Sequence, residues 1–252
     1  MAIKAGVDHI LLKADDESRT QCFFGLKMGV ESGEILMERL NDAVRRLLSL
    51  KYDQGLWEKA GKMDPEETRA VARSKEVIDF SWDVAKRALM VMRDDQKLLP
   101  LRKDQRILVV EQLIPYEFLG KDLYSHPHMF CEVMTKHSTN LILDDAAFHA
   151  TDEDVADALN LAKQADLVVV TNYFARIEKK GNNQHLVKLL KKAGHKVVVV
   201  TNYPYVEGTT READAVVCNF SGSPDSIRVA ADLLFGTVTP TPSTKLPITL
   251  PA

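Results

Sequence analysis

Polar and aromatic side chains follow three apolar runs of the sequence, at positions from which they could contact a ligand. Lys13, Asp15 and Asp16 follow the run at 7–12, and Asn-Tyr pairs follow two β-branched runs further along the chain. Ligands of open α/β sheets bind beyond the carboxyl ends of the strands. Such charged and amide groups could bind hydroxyl groups, and aromatic ring faces suit stacking against a sugar. The alternative is a set of ordinary solvated loops and strand-end turns. The candidate binding residues are Lys13, Asp15, Asp16, Asn172, Tyr173, Asn202 and Tyr203.

Other side-chain groups do not indicate metal or cofactor chemistry. His126 and His128 are the closest histidine pair, but the spacing places no further ligand beside them, so a polar loop is favoured. The three cysteines are far apart, which argues against a disulfide framework or a CxxC zinc site. No GxGxxG or Walker pattern is present, so nucleotide binding is not expected. We predict no metal site and no cofactor.

From Arg106 onward, apolar and mostly β-branched runs alternate with amphipathic stretches. This alternation is typical of a parallel sheet that is covered on both faces. The expected fold class is therefore α/β, with a mostly parallel sheet in a three-layer α/β sandwich. The predicted strands are 107–110, 141–143, 167–171, 197–201 and 215–218, and the predicted helices are 153–164, 184–192 and 226–235.

The first hundred residues predict secondary structure without a complete core. The run at 7–12 fits a buried parallel strand, and helices are expected at 17–30 and 34–51. Asp64, followed by Pro65, marks the start of one long helix that is expected to reach Asp94. One strand and two helices are too few for an independent core. We therefore expect a βαα segment at 1–60, a linker helix at 61–100 and the α/β sandwich at 101–252.

The helix at 34–51 carries an apolar stripe on one face. Side chains of this kind, left in water, form a patch that marks an interface or an aggregation site. We expect this stripe to dock on the α/β domain, to pair with a second copy in a homodimer, or to be covered by a separate chain. The apolar stripe consists of Ile35, Leu36, Leu40, Val44, Leu47 and Leu48.

Four stretches resemble, in their order and spacing, the C-terminal part of family 3 glycoside hydrolases. The segment AIKAGVDHIL at 2–11 resembles the passage into the last barrel strand, and EI…VRRLLSLK…GL at 34–56 resembles a helix of that family. AKRA…LLPL at 85–101 resembles the entry to the C-terminal domain. G…STKLPITLP at 236–251 is similar to the closing motif, although Thr244 stands where the family usually has Gly. The C-terminal half looks most similar to the β-N-acetylhexosaminidase branch.

This resemblance implies that 1–60 is the remnant of a (β/α)8 barrel and that the intact parent hydrolyses O-glycosidic bonds of a carbohydrate substrate. Lys13, Asp15 and Asp16 would then lie at the mouth of the barrel. A retaining glycosidase needs a nucleophile and an acid/base group about 5–5.5 Å apart. The family carries its nucleophile in a Ser-Asp motif on the preceding barrel strand, and the branch carries its acid/base as a His-Asp pair on an earlier loop. No residue of this sequence matches either motif.

We therefore expect no catalytic residue here and no activity of the chain alone. The alternative function is a non-catalytic carbohydrate-binding or interaction module that packs on a barrel supplied by another chain. A net charge of −3 and a pI near 6.2 give no reason to expect nucleic-acid or membrane binding. Residues 1–8 have no apolar region typical of a signal peptide, so the cytoplasm is favoured.

Overall fold

The computed structural model describes residues 2–13, 15–59, 64–114, 126–174, 183–204 and 209–240. The chain divides into two compact units, Met1–Arg73 and Ser74–Ala252. The domain boundaries expected from the sequence stay a prediction.

Helices dominate the described part of Met1–Arg73. Asp15 caps the first of them because its carboxylate accepts a hydrogen bond from Ser18 N at 2.7 Å. Asp64 caps the fourth, with Pro65 in the first helical position, as the sequence predicts. The four helices are α1 Asp16–Glu31, α2 Met37–Asp53, α3 Leu56–Lys59 and α4 Pro65–Ala72.

Ser74–Ala252 is built on a six-stranded sheet. The strands are β1 Met90–Asp94, β2 Ile107–Gln112, β3 Leu141–Ala146, β4 Leu167–Thr171, β5 Val197–Thr201 and β6 Ala215–Cys218. Their order in the sheet is β1-β6-β5-β4-β2-β3. Five strands are parallel, and β1 pairs antiparallel with β6 at one edge. The central strands are completely buried, as their apolar sequences require.

Helices cover both faces of this sheet. The helices are α5 Lys75–Ala88, α6 Met129–Thr135, α7 Asp152–Ala162, α8 Gln184–Lys192, α9 Thr209–Glu212 and α10 Pro224–Leu234. Successive residues of a strand point to opposite faces. Val169 therefore packs in one core with α5, α6 and α10, while Val168 and Val170 pack in a second core with α7 and α8. This arrangement confirms the predicted α/β sandwich with its mostly parallel sheet.

The expected strand at 7–12 is wrong for this chain, because these residues have no regular secondary structure. A strand needs a neighbour to satisfy its backbone hydrogen bonds, and the described residues of Met1–Arg73 include no strand. The described residues of the segment expected as βαα therefore form helices only.

The single linker helix expected over 61–100 is also wrong. The described residues contain α4 and α5, which are separated at Arg73 and Ser74, and then strand β1. Ser74 starts α5 because its hydroxyl accepts a hydrogen bond from Val77 N at 3.3 Å. β1 forms because the free edge of β6 offers it a hydrogen-bonding partner. Neither β1 nor α6 is predicted from the sequence.

Candidate functional site

The predicted binding residues of Met1–Arg73 are exposed and partly engaged in helix capping. Asp15 is the N-cap of α1, and its hydrogen bond from the Ser18 backbone holds the pKa of its carboxyl below the usual value. Asp16 lies in the first turn of α1 and pairs with Arg19 at 2.7 Å. Lys13 is exposed just before this turn. Asp15 and Asp16 therefore have structural partners within α1.

Asp8 is paired with two arginines of the same unit. Arg46 contacts both of its oxygens at 3.0 Å, and Arg39 contacts it at 2.8 Å. The hydrogen bond from Arg46, and the attraction of both guanidinium groups, lower the pKa of Asp8. A carboxylate paired in this way ties the N-terminal segment to α2, as expected of a structural residue.

An apolar cavity of about 310 Å³ lies among the N-terminal segment, α1 and α2. Ile10, Phe23, Ile35 and Val44 are among its lining residues. The apolar stripe borders this region, and four of its six members, Leu36, Leu40, Val44 and Leu48, are exposed. Residues 1–73 therefore present a large apolar surface of the kind that marks an interface.

In Ser74–Ala252, the polar residues at the carboxyl ends of β2 and β4 form a buried network. Gln112 N donates to Thr171 Oγ1 at 2.7 Å, and Gln112 Nε2 donates to Phe148 O at 2.8 Å. Tyr173 N donates to Gln112 Oε1. The ring of Tyr173 is buried in the core, and burial raises the pKa of its hydroxyl. This ring face is therefore closed to a ligand here, unlike the sugar-stacking role expected from the sequence.

Two predicted asparagines stabilise the backbone that follows β4. Asn172 Oδ1 accepts from Asn183 N at 3.2 Å. Asn202 joins the ends of β5 and β4, since its Oδ1 accepts from Phe174 N at 2.7 Å and its Nδ2 donates to Phe174 O at 3.1 Å. These bonds fix Phe174 beside Tyr203, and the two rings stack with centroids 4.6 Å apart.

A third aromatic residue, Phe220, follows the next strand of the sheet. The ends of β5 and β6 lie side by side, since Thr201 pairs with Cys218 and Thr201 O accepts a hydrogen bond from Asn219 N at 2.9 Å. Tyr203 lies two residues after Thr201, and Phe220 lies two residues after Cys218. Phe220 has a φ of 56° and is 40% exposed, and Tyr203 is 37% exposed. We call Phe174, Tyr203 and Phe220 the aromatic row. It crosses the ends of three adjacent parallel strands.

Some buried polar side-chain atoms have no hydrogen-bond partner among the described residues. Four such side-chain atoms occur in the described ranges, and two of them, Asn172 Nδ2 and Asn219 Oδ1, belong to residues that immediately follow strands β4 and β6. A third, Asp144 Oδ2, lies in the carboxyl half of β3, where burial raises the pKa of the carboxyl. Buried polar groups are normally hydrogen-bonded, so unsatisfied ones call for a ligand, a water or a functional reason.

The buried titratable groups near this edge are not arranged as reactive groups. Glu111 accepts a hydrogen bond from Cys131 N at 2.8 Å, and burial raises the pKa of its carboxyl. Burial also raises the pKa of the Cys131 thiol, and it raises that of Cys218 to about 12. Both thiols are therefore protonated near neutral pH and are poor nucleophiles.

In the described part of the chain, no group of three or more histidine, cysteine, aspartate and glutamate side chains is placed to hold a metal ion. His126 approaches Glu132 at 3.4 Å and His128 approaches Asp145 at 3.7 Å, so the two histidines face different carboxylates. Of the helices that the structure describes, none combines the length and apolar character needed to cross a membrane.

The candidate residues expected from the sequence include Tyr203 but not Phe174, Asn219 and Phe220. A signal for the last two was available, because the strand at 215–218 is followed by Asn-Phe just as two earlier strands are followed by Asn-Tyr. Residue type could not distinguish the buried ring of Tyr173 from the exposed one of Tyr203.

Residues 89–252 match the model of the "Glycosyl hydrolase family 3 C-terminal domain". Over its whole length the chain is 27% identical to a periplasmic beta-glucosidase of Salmonella typhimurium, of which it spans 38%. The glycoside hydrolase family 3 beta-N-acetylglucosaminidase of Paenibacillus superposes on 95% of this chain with a TM-score of 0.69 at 22% identity, and the match spans 45% of that protein. The beta-glucosidase of Listeria innocua in complex with glucose superposes on 94% of this chain with a TM-score of 0.65 at 21% identity, and the match spans 34% of that protein.

Proposed function

Because the chain belongs to glycoside hydrolase family 3 through its C-terminal domain, we propose that it is the C-terminal module of a β-N-acetylglucosaminidase-like hydrolase. In the intact parent, this module would help to bind a carbohydrate whose O-glycosidic bond is cleaved. The chain by itself is inactive in this proposal. The β-N-acetylglucosaminidase assignment rests on the likeness of 166–171 and 196–204 to that branch of the family.

The observation that carries this proposal is the concentration of polar and aromatic groups at the carboxyl ends of adjacent parallel strands. Tyr203 and Phe220 are partly exposed there, and Asn172 and Asn219 each carry one buried amide atom without a partner among the described residues. Ligands of open α/β sheets bind at this edge. A module with such an edge can contribute to a sugar site even without the groups that break the bond.

Inactivity follows from the chemistry that hydrolysis requires. General acid–base catalysis contributes a rate factor of about 10²–10⁴, and a nucleophile divides one difficult step into two easier ones. No residue of the chain matches either family motif. Asp8 and Asp16 are paired with arginines, and Asp15 caps a helix. These carboxylates therefore already serve the fold of Met1–Arg73.

The test is the hydrolysis of an aryl β-N-acetylglucosaminide and an aryl β-glucoside by the purified chain. We expect release of the aryl alcohol at the rate of the buffer blank, with an intact family 3 hydrolase as the positive control. Turnover that persists through purification and is lost in Asp15→Ala or Asp16→Ala would contradict the proposed inactivity. If the unaltered chain and both variants show the same residual hydrolysis rate, that activity comes from a contaminant.

The second candidate function is an interaction module that packs on a barrel supplied by another chain or pairs with a second copy. The exposed apolar stripe favours it, because Leu40, Val44 and Leu48 still expose 37%, 44% and 46% of their surface. Covering that remainder gains a corresponding fraction of the roughly 1.5–3 kcal/mol of a fully buried side chain. Sedimentation of the chain over a range of concentrations tests the homodimer. Leu48→Glu should weaken any association through the stripe, while Lys75→Glu, outside the stripe, serves as the control.

A further inference from the structure

We propose that α5 pairs antiparallel with α5 of a second copy of this chain, through an exposed apolar face that is flanked by opposite charges. This surface lies entirely in Ser74–Ala252 and shares no residue with the apolar stripe at 35–48. The inference goes beyond the proposed function, in which neither the carbohydrate nor the stripe involves α5.

The exposed apolar side chains of Ser74–Ala252 are concentrated on α5. Seven large hydrophobic side chains of this unit are exposed in the described residues, and four of them belong to this one helix. Val77, Phe80 and Val84 are 44%, 68% and 44% exposed, and their spacing places them on one face of the helix. We call these three residues the α5 face. Clustered apolar side chains at the surface are typical of protein–protein contact sites.

An adjoining side of α5 holds the helix on the α/β core. Ala85 is buried, and Trp82 packs against the core residues. Ser81 Oγ donates to Asp225 Oδ2 of α10 at 2.7 Å. The helix is therefore anchored along one side, while the α5 face beside it stays open to a partner helix.

The charges beside the α5 face are self-complementary. Glu76 and Arg87 are separated by about three helical turns, so they lie on the same side of the helix near the two ends of the face. A two-fold axis places Glu76 of each copy level with Arg87 of the other when two antiparallel helices are centred between Ser81 and Trp82. Asp83, which contacts Arg87 of its own helix at 3.6 Å, is then about 6 Å along the axis from the nearest Glu76. Two ion pairs therefore close the ends of the interface.

The same register interdigitates the apolar side chains. Val84 of one copy lies between Val77 and Phe80 of the second copy, as side chains do when the ridges of one helix enter the grooves of another. A parallel pair would instead bring Glu76 level with Glu76 and Arg87 level with Arg87. Opposite charges thus select the antiparallel arrangement, and a second copy of this chain supplies the charge order that the α5 face requires.

Sedimentation equilibrium of the whole chain between about 1 and 100 µM, the range suited to a small helix–helix contact, tests the pairing. We expect a monomer–dimer equilibrium. Phe80→Asp should raise the dissociation constant by about tenfold or more, because it places a charge at the centre of the apolar contact. A monomer throughout this range would overturn the inference. Dimerisation that Leu48→Glu abolishes and Phe80→Asp leaves unchanged would also overturn it, since the apolar stripe would then be the interface.

Charge reversal tests the antiparallel register. Glu76→Arg and Arg87→Glu should each weaken the dimer by about tenfold at low ionic strength, since two attractive pairs become repulsive. An equimolar mixture of the two variants should regain an affinity close to that of the unaltered chain, because each end pair across the interface then joins opposite charges. The mixture also separates pairing from folding, because a variant that failed to fold could not regain affinity in it.

Lys75→Glu is the matched control for these variants. It makes the same charge change as Arg87→Glu, but Lys75 lies on the opposite side of α5, where it pairs with Asp79 of the same helix. This variant should leave the dissociation constant unchanged. Charge-reversal variants that dimerise as tightly as the unaltered chain, or a mixture that stays monomeric, would overturn the inference.

Discussion

The two units of this chain use the same kinds of apolar residues with opposite results. Of the 23 exposed large hydrophobic side chains in the described residues, 16 lie in Met1–Arg73, although this unit has only 73 of the 252 residues. Its long helices α1 and α2 each contain a single buried residue, Gly29 and Ala43. By contrast, β2, β4, β5 and β6 are buried along their whole length. Secondary structure forms in both units, but only the second surrounds its apolar residues with partners.

Amide hydrogen exchange should give the largest contrast between the units. In a dilute monomer, the amides of α2 should exchange about a thousandfold or more faster than those of β4, because few buried contacts oppose local opening of α2. Mass spectrometry of peptides from 34–51 and 165–173 measures this difference. Equal protection in a sedimentation-verified monomer would mean that something in the chain covers the apolar stripe. Protection of 34–51 that grows with concentration would instead indicate pairing with a second copy.

Replacing one phenylalanine by alanine in each unit should lower the free energy of unfolding by very different amounts. Phe130 of α6 is fully buried, so Phe130→Ala should lower the free energy of unfolding by about 3–5 kcal/mol. Phe23 of α1 is 64% exposed, so Phe23→Ala should change it by less than about 0.5 kcal/mol. Urea unfolding followed by circular dichroism checks both. A loss of similar size at Phe23 would show that its ring is buried in solution.

The ion pairs of the two units should also differ in how much they contribute to the free energy of unfolding. Asp214 is buried, contacts Lys191 Nζ at 2.6 Å and accepts from Val197 N at 2.8 Å. Asp214→Ala should therefore cost about 3 kcal/mol, because it leaves buried partners unpaired. Asp16 pairs with Arg19 at the surface, and Asp16→Ala should cost less than about 1 kcal/mol. Comparable losses in the two urea titrations would contradict the difference in burial.

The smallest expected effect is on the pH dependence of folding stability, which should have opposite signs for one carboxyl group in each unit. Burial raises the pKa of Glu111, so the folded state binds more protons and its stability falls as pH rises above the unfolded value of about 4.3. Glu111→Gln should remove this fall while its amide oxygen still accepts from Cys131 N. Arg46 and Arg39 lower the pKa of Asp8. The contribution of Asp8 to folding stability is therefore present above about pH 3.9 and is lost as pH falls.

Melting temperatures of Glu111→Gln and Asp8→Asn between pH 3 and pH 8 measure both contributions. Relative to the unaltered chain, Glu111→Gln should gain most at the upper end of this range, and Asp8→Asn should lose most there. The same pH dependence for both variants would mean that one of the two carboxyl groups has a different environment in solution.

The sequence by itself determined the elements whose pattern and burial agree. Strands 167–171, 197–201 and 215–218 and the helix 184–192 are predicted with the bounds that the structure has. Continuous β-branched runs can be stable only inside a covered sheet, so their chemistry already specifies the layers around them. The caps at Asp64 and Pro65 are equally local, because the groups that satisfy the helix end lie within a few residues.

Tertiary structure alone decided the elements that depend on a distant partner. The run at 7–12 has the composition of a strand but no strand beside it in the described residues, whereas 90–94 becomes a strand because the edge of β6 is free. In the same way, two Asn-Tyr pairs with the same local sequence place one ring in the core and the other at the surface. Tyr173 lies against the residues of one core, while Tyr203 stacks on Phe174 at the rim of the sheet. Strand pairing and side-chain burial depend on contacts between elements that are distant in sequence. A local sequence pattern therefore could not predict either of them.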